Sequence, residues 1–191
     1  MNALLVSFAV IFVAEMGDKS QLMALTFATR YRTVPILIGI TIATASVHAV
    51  SVLLGAVLAV SLPTDLINIA AGLAFLGFAA WTLRGDRLTD DEAAKVERSS
   101  NRSAIAAASG AFFLAELGDK TMLATITLAS TDNPWWVWLG STVGMVAADA
   151  LAILVGRLLG RRLPERAITI FAAVMFVLFG VALVLEGFGV L

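Results

Sequence analysis

Glu15-Met16-Gly17-Asp18-Lys19-Ser20 and Glu116-Leu117-Gly118-Asp119-Lys120-Thr121 are two copies of one six-residue pattern, each set inside a long apolar stretch. An ionised side chain in such a place is expensive, and it marks function by default. At helical pitch Glu15 and Asp18 are three residues apart and Lys19 follows Glu15 by four. Each copy therefore projects two carboxylates and an ammonium from neighbouring turns of one helix. Two such helices face to face would form a four-carboxylate cage.

The surroundings decide the class. Hydrophobic residues make up 60% of the chain and charged residues only 14%, with a mean hydropathy of +0.94, far from a soluble domain. This is an integral membrane protein, all-α, because several segments reach the ~20 apolar residues a spanning helix needs and the alternation of a lipid-facing barrel strand is missing. The pattern predicts six transmembrane helices, at 3–28, 34–61, 65–84, 104–130, 134–158 and 167–188. No Lys or Arg precedes the first apolar run and no small-residue cleavage site follows it, so that segment is read as a retained helix and not a cleaved signal. The absence of cysteine excludes disulfides and thiolate metal sites.

The cations give an orientation. Arg30 and Arg32 follow the first segment; Arg84, Arg87, Lys95, Arg98 and Arg102 surround the central loop; Arg157, Arg161, Arg162 and Arg166 lie between the fifth and sixth. Six crossings place all three groups on one side. Of thirteen Lys and Arg, the two motif lysines apart, all eleven fall there, and the positive-inside rule makes that side cytoplasmic. Both termini then face away from the cytoplasm. Trp135, Trp136 and Trp138 fall at the outer end of the fifth segment, where an aromatic belt anchors a helix. The run Arg161-Arg162-Leu163-Pro164-Glu165-Arg166 reads as an orientation and anionic-lipid signal, not a nucleic-acid site.

The repeat extends beyond the motif. At a constant offset of 101, Gly39 matches Gly140, Thr41 matches Thr142, Ala49 matches Ala150, Gly55 matches Gly156, and Leu62-Pro63 matches Leu163-Pro164. The chain divides into a first three-helix repeat at 1–84, a charged cytoplasmic linker at 85–103 and a second three-helix repeat at 104–191. An odd number of crossings per half makes the second half enter from the opposite side, an inverted repeat of the kind used by alternating-access transporters. The linker is too short for a domain and reads as a solvated segment with one short helix capped near Thr89.

Depth selects further residues. Glu15 and Glu116 lie near the middle of their helices, close to the bilayer midplane, where inverted-repeat transporters bind substrate. His48 and Asp149 are equivalent at the offset of 101 and are also deep. His48 continues a stripe with Thr41, Thr44 and Ser51, and Asp149 shares a face with Thr142 and Met145; both faces are expected to point inward. For His48 an interhelical hydrogen bond, metal ligation and proton relay all remain open. Gln21 is placed to reach the site from the turn beyond Asp18, while its counterpart Met122 is read as core filling. Gly17 and Gly118 allow either close helix approach or local unwinding.

Oxygen-rich clusters of Glu, Asp, Ser and Thr suit hard divalent cations such as Ca²⁺, Mg²⁺ and Mn²⁺, and Mn²⁺ also tolerates a nitrogen ligand. A carboxylate must lose its proton to bind metal, so metal and protons compete for the same oxygens. Competition combined with alternating access gives cation/proton antiport. Two acids per lysine leave surplus negative charge that a purely structural ion network would not need.

Two copies of Glu-x-Gly-Asp-Lys-[Ser/Thr], one opening each three-helix half with a charged loop between, resemble the membrane family of manganese and calcium exchangers that includes Golgi cation/proton antiporters and bacterial and chloroplast manganese transporters. The resemblance spans nearly the whole chain. It implies exchange of Mn²⁺ and/or Ca²⁺ for protons, with Glu15, Asp18, Glu116 and Asp119 at the cation-binding positions. Lys19, Lys120, Ser20, Thr121, Gln21, His48 and Asp149 are the expected supporting or proton-coupling residues, the last two on the depth argument alone. The expected setting is a bacterial inner membrane, exporting manganese from the cytoplasm, with the bilayer, the cations and protons as partners and no cofactor. A homo-oligomer is compatible with the sequence. An exporter of a cationic amino acid or another organic cation would use the same acidic midplane. An intramembrane hydrolase built on paired carboxylates and His48 is disfavoured by the internal symmetry and by the lack of a nucleophile arrangement.

Overall fold

Both motif segments are expected to be continuous helices, and both are broken. The computed structural model describes residues 2–84, 104–159 and 165–190. Within them the chain forms eight helices: α1 (Ala3–Glu15), α2 (Lys19–Arg30), α3 (Thr33–Ser61), α4 (Thr64–Arg84), α5 (Ala104–Glu116), α6 (Lys120–Thr131), α7 (Pro134–Leu159) and α8 (Glu165–Gly187). The expected linker helix near Thr89 and the matched pair Leu163-Pro164 lie outside the described residues. Four helices are long and apolar enough to cross a membrane, over Thr33–Ser61, Thr64–Arg84, Pro134–Arg157 and Thr169–Gly187, and α1 and α5 are shorter apolar helices.

The breaks follow from the motif itself. Met16 has φ −64° and ψ 119°, Gly17 has φ 78°, and the Asp18 amide donates to the Glu15 carbonyl at 3.1 Å. That is a type II turn, whose third position requires a positive φ that glycine adopts without penalty. Gly118 has φ 80° and the Asp119 amide donates to the Glu116 carbonyl at 3.3 Å, so the second copy turns the same way. Each turn hands the chain to an extended aspartate, Asp18 or Asp119, at the N-cap of the next helix. Of the two roles the sequence allows for these glycines, Gly118 serves unwinding, since a Cβ there would meet nothing within 4 Å.

Packing runs mainly between the halves. The largest interface joins α4 to α8, the next joins α1 to α7, and α3 lies against both α5 and α6. A Cβ on Gly39 would fall 2.7 Å from the Ala108 Cβ and 2.8 Å from the Ile105 carbonyl oxygen; one on Gly140 would strike Ser7 Oγ and the Leu4 carbonyl oxygen. These are the same contacts displaced by 101 with the halves exchanged. Missing side chains here let helix backbones approach closely. Equivalent residues also meet each other: Thr44 Oγ1 lies 3.4 Å from Met145 Sδ, and the Phe75 and Phe176 rings are 5.8 Å apart. Phe75 with Phe179 and Phe78 with Phe176 repeat the exchange on either side of that pair.

Two expected faces are revised. Thr44, His48 and Ser51 are buried, as are Thr142, Met145 and Asp149, but Thr41 is exposed and bonds its hydroxyl to the Leu37 carbonyl. Trp135 and Trp136 are exposed, whereas Trp138 turns into the bundle and donates its indole N–H to the Ala45 carbonyl at 2.9 Å.

Candidate cation site

The two turns bring the ends of four helices to one buried patch, with α1 and α5 ending at the glutamates and α2 and α6 beginning just after the aspartates. Glu15, Asp18, Glu116 and Asp149 are each 0% exposed and Asp119 is 4% exposed. Glu15 is within electrostatic reach of Glu116, Asp149 and Asp18, and Glu116 of Asp119, Asp18 and Asp149. The motif acids of both halves thus share one field, and Asp149 belongs to it. The partial positive charge at the N-termini of α2 and α6 favours anions there.

Each glutamate is half engaged. Ser20 Oγ donates to Glu15 Oε1, and Thr121 Oγ1 donates to Glu116 Oε2 at 2.8 Å, the same hydroxyl five residues on in either copy. The other oxygens, Glu15 Oε2 and Glu116 Oε1, are buried and accept no hydrogen bond. Both Asp149 oxygens and both ring nitrogens of His48 are in the same condition. Buried polar atoms are ordinarily paired, and a group left without a partner costs about 1–3 kcal/mol, more when charged.

The copies differ in how they hold their aspartates. Asp18 Oδ2 accepts from Ser20 N at 3.5 Å and Ser20 Oγ at 3.1 Å, while Oδ1 is paired with Lys120 Nζ of the opposite half. Lys120 is 2% exposed and also feels Glu15 and Asp119. Lys19, its equivalent, is half-buried. Asp119 begins α6 without a capping bond from its own side chain. Gln21 ties the first turn down, accepting from the Gly17 amide at 2.9 Å and donating to the Ala148 carbonyl, beside Asp149, at 3.3 Å. Its counterpart Met122 offers the Gly118 amide only a thioether at 3.2 Å, and Leu117 beside it is 46% exposed.

The expected four-carboxylate cage is thus a looser arrangement. Among the described residues no three of the acids and His48 close into a coordination sphere. Like charges repel and spread, and one oxygen of each glutamate is tied to its own hydroxyl. His48 is buried on α3 with neither ring nitrogen engaged. The feature least legible in the sequence is the turn, although Glu-x-Gly-Asp carries its signal in a glycine at the third position.

A family model described as the divalent cation/proton antiporter GDT1 matches residues 3–90 and 104–190, a segment in each half. The chain belongs to the GDT1 family. GDT1 relatives match along nearly all of it. A Vibrio cholerae protein provisionally named a manganese exporter is 37% identical over 185 residues, covering 95% of this chain and 90% of that protein. A GDT1-like protein of Synechocystis is 31% identical, covering 95% and 96%. The chloroplast protein PAM71 of Arabidopsis thaliana is 32% identical over 94% of this chain, which corresponds to 56% of its own length. No solved structure matches the chain. Membership makes this a membrane transporter of the divalent-cation class, a family of carriers and not of enzymes.

Proposed function

We propose that this protein exchanges Mn²⁺ and/or Ca²⁺ for protons across a bacterial inner membrane, in the direction that removes manganese from the cytoplasm. The observation that carries the reading is the half-engaged glutamate pair. Glu15 Oε2 and Glu116 Oε1 are buried without a partner in one shared field of carboxylates, and Lys120 neutralises only part of that field. Oxygen donors of this kind take a hard divalent cation or protons, and the two exclude each other at the same atoms. Glu15, Asp18, Glu116 and Asp119 are the proposed ligands. Asp149 adjusts the charge between them, and His48 serves as a proton-coupling group on α3. The name of the Vibrio cholerae relative supports manganese and the export direction, and the family description supports proton exchange.

The proposed architecture is six crossings in two inverted three-helix repeats, α1 with α2 and α5 with α6 each making one interrupted crossing. Contacts that repeat under exchange of the halves, and the meeting of equivalents such as Phe75 with Phe176, are what a two-fold axis in the membrane plane would produce. Interrupted helices at the midplane are a recurrent way of placing helix ends and polar groups around an ion.

Proteoliposomes with an imposed pH gradient test the function. Mn²⁺ or Ca²⁺ flux coupled to proton counterflow is expected, undiminished by an excess of organic cations. Divalent flux indifferent to the gradient would overturn proton exchange, and flux of an organic cation in place of Mn²⁺ and Ca²⁺ would overturn the substrate.

A further inference from the structure

A cavity of about 400 Å³ lies between α1, α4, α6 and α8, its wall running along α4 from Thr64 through Asn68 to Phe75 and along α1 from Val6 to Val10. Val10 is five residues before Glu15, so the cavity stops about 7 Å short of the central acids. Its rim carries Asp132 and Glu186, both exposed. The rim lies at the start of α4, and Arg84 closes the far end of the same helix. In the sequence, all Lys and Arg apart from Lys19 and Lys120 lie at or between the opposite ends of the expected crossings.

Asn68 is the decisive residue. It is 5% exposed, it lines the cavity, and its Oδ1 accepts no hydrogen bond. A buried amide oxygen without a donor is unfavourable. The same cavity is lined by the carboxylates of Asp132 and Glu186, and oxygens of these types take hard cations with part of their hydration retained. Acids facing a low-dielectric wall also concentrate cations at the mouth.

Exchanging the halves puts different residues at the equivalent described positions. The equivalents of Asn68, Leu128 and Asp132 are Thr169, Phe27 and Tyr31. There Phe27 packs against Tyr31 at 6.0 Å and Phe112 at 6.4 Å, and aromatic rings take the place of the carboxylate.

We infer that this cavity is a second, weaker cation site, in which Asn68 Oδ1 with Asp132 and Glu186 stages a hydrated divalent cation between the water at this end and the central acids. The identity of the cation rests on the proposed function; the site itself has an independent readout. Mn²⁺ binding is measured by electron paramagnetic resonance on the full chain in nanodiscs, with Glu15→Gln/Glu116→Gln to disable the central site. That variant is expected to retain a weak class of bound Mn²⁺. Adding Asn68→Leu or the exposed Asp132→Asn should weaken it about tenfold, and Asn68→Asp should tighten it. Loss of all Mn²⁺ binding in Glu15→Gln/Glu116→Gln would overturn the inference. So would residual binding indifferent to both Asn68→Leu and Asp132→Asn. Absence of divalent flux in the vesicle assay would instead strike the proposed function, leaving the binding measurement to be read separately.

Discussion

Lys120, from the second copy of the motif, pairs with Asp18 from the first. Breaking a buried pair on one side leaves the other charge uncompensated and costs about 3–5 kcal/mol. Lys120→Met should therefore lower the thermal stability of the protein in detergent sharply, and Asp18→Asn added to it should recover most of that loss. The double variant should still fail to transport, because it lacks a proposed ligand. Equal stability of Lys120→Met and the wild type would show that the pair contributes nothing.

Glu15 and Glu116 are expected to serve one ion and not two. Glu15→Gln and Glu116→Gln should each reduce transport by more than about tenfold, as removal of a metal-site group typically does in affinity. The wild type should bind one tightly held Mn²⁺ per chain. Full transport by both single variants would rule out a shared site.

Gly118 offers a test of the turn that packing does not confound, since a Cβ there meets no neighbour and only the positive φ opposes substitution. Gly118→Ala should cost about 1–2 kcal/mol, and Gly118→Asn should cost less because Asn tolerates left-handed conformations. Chemical denaturation in micelles checks the ranking. The reverse order would mean that the turn is not what glycine supplies.

Acid should weaken Mn²⁺ binding. A carboxylate binds the ion only after losing its proton, so affinity rises with pH and binding releases protons. Calorimetry at fixed pH in two buffers of different ionisation enthalpy counts them. A count of zero where transport is active would exclude competition at the carboxylates and leave a proton path elsewhere, such as through His48.

The distribution of cations predicts that both termini lie outside the cytoplasm. A C-terminal reporter that works only in the cytoplasm should stay silent; a strong signal would reverse the topology.

Much of the arrangement is legible in the chain because the duplication writes each fact twice. Glu15 and Glu116, or Gly39 and Gly140, stand out by recurring at 101, and the close crossings at those two glycines are where the structure exchanges its halves. Less legible is anything decided by which helix lies across the way. Thr41 and Thr44 fall on one helical stripe, yet Thr41 bonds back to its own helix at Leu37 while Thr44 meets Met145 of another. Lys19 and Lys120 hold the same place in their motifs, and nothing local shows that Lys120 reaches Asp18. Asn68 carries no motif at all; its importance comes from α1, α6 and α8 closing around it.

The exchange of helices between halves bears on how the protein is made. As the chain is inserted, α1 waits for α7, α3 for α5 and α4 for α8, so the glycine-lined faces of the first half stay uncovered until the second has been synthesised. Neither half can mature as a free-standing body, whereas two half-chains expressed together have the complementary surfaces to assemble. Truncation before α8 should therefore leave α4 without its principal partner and expose the shortened product to membrane quality-control proteases, even though every residue of both acidic motifs is still present.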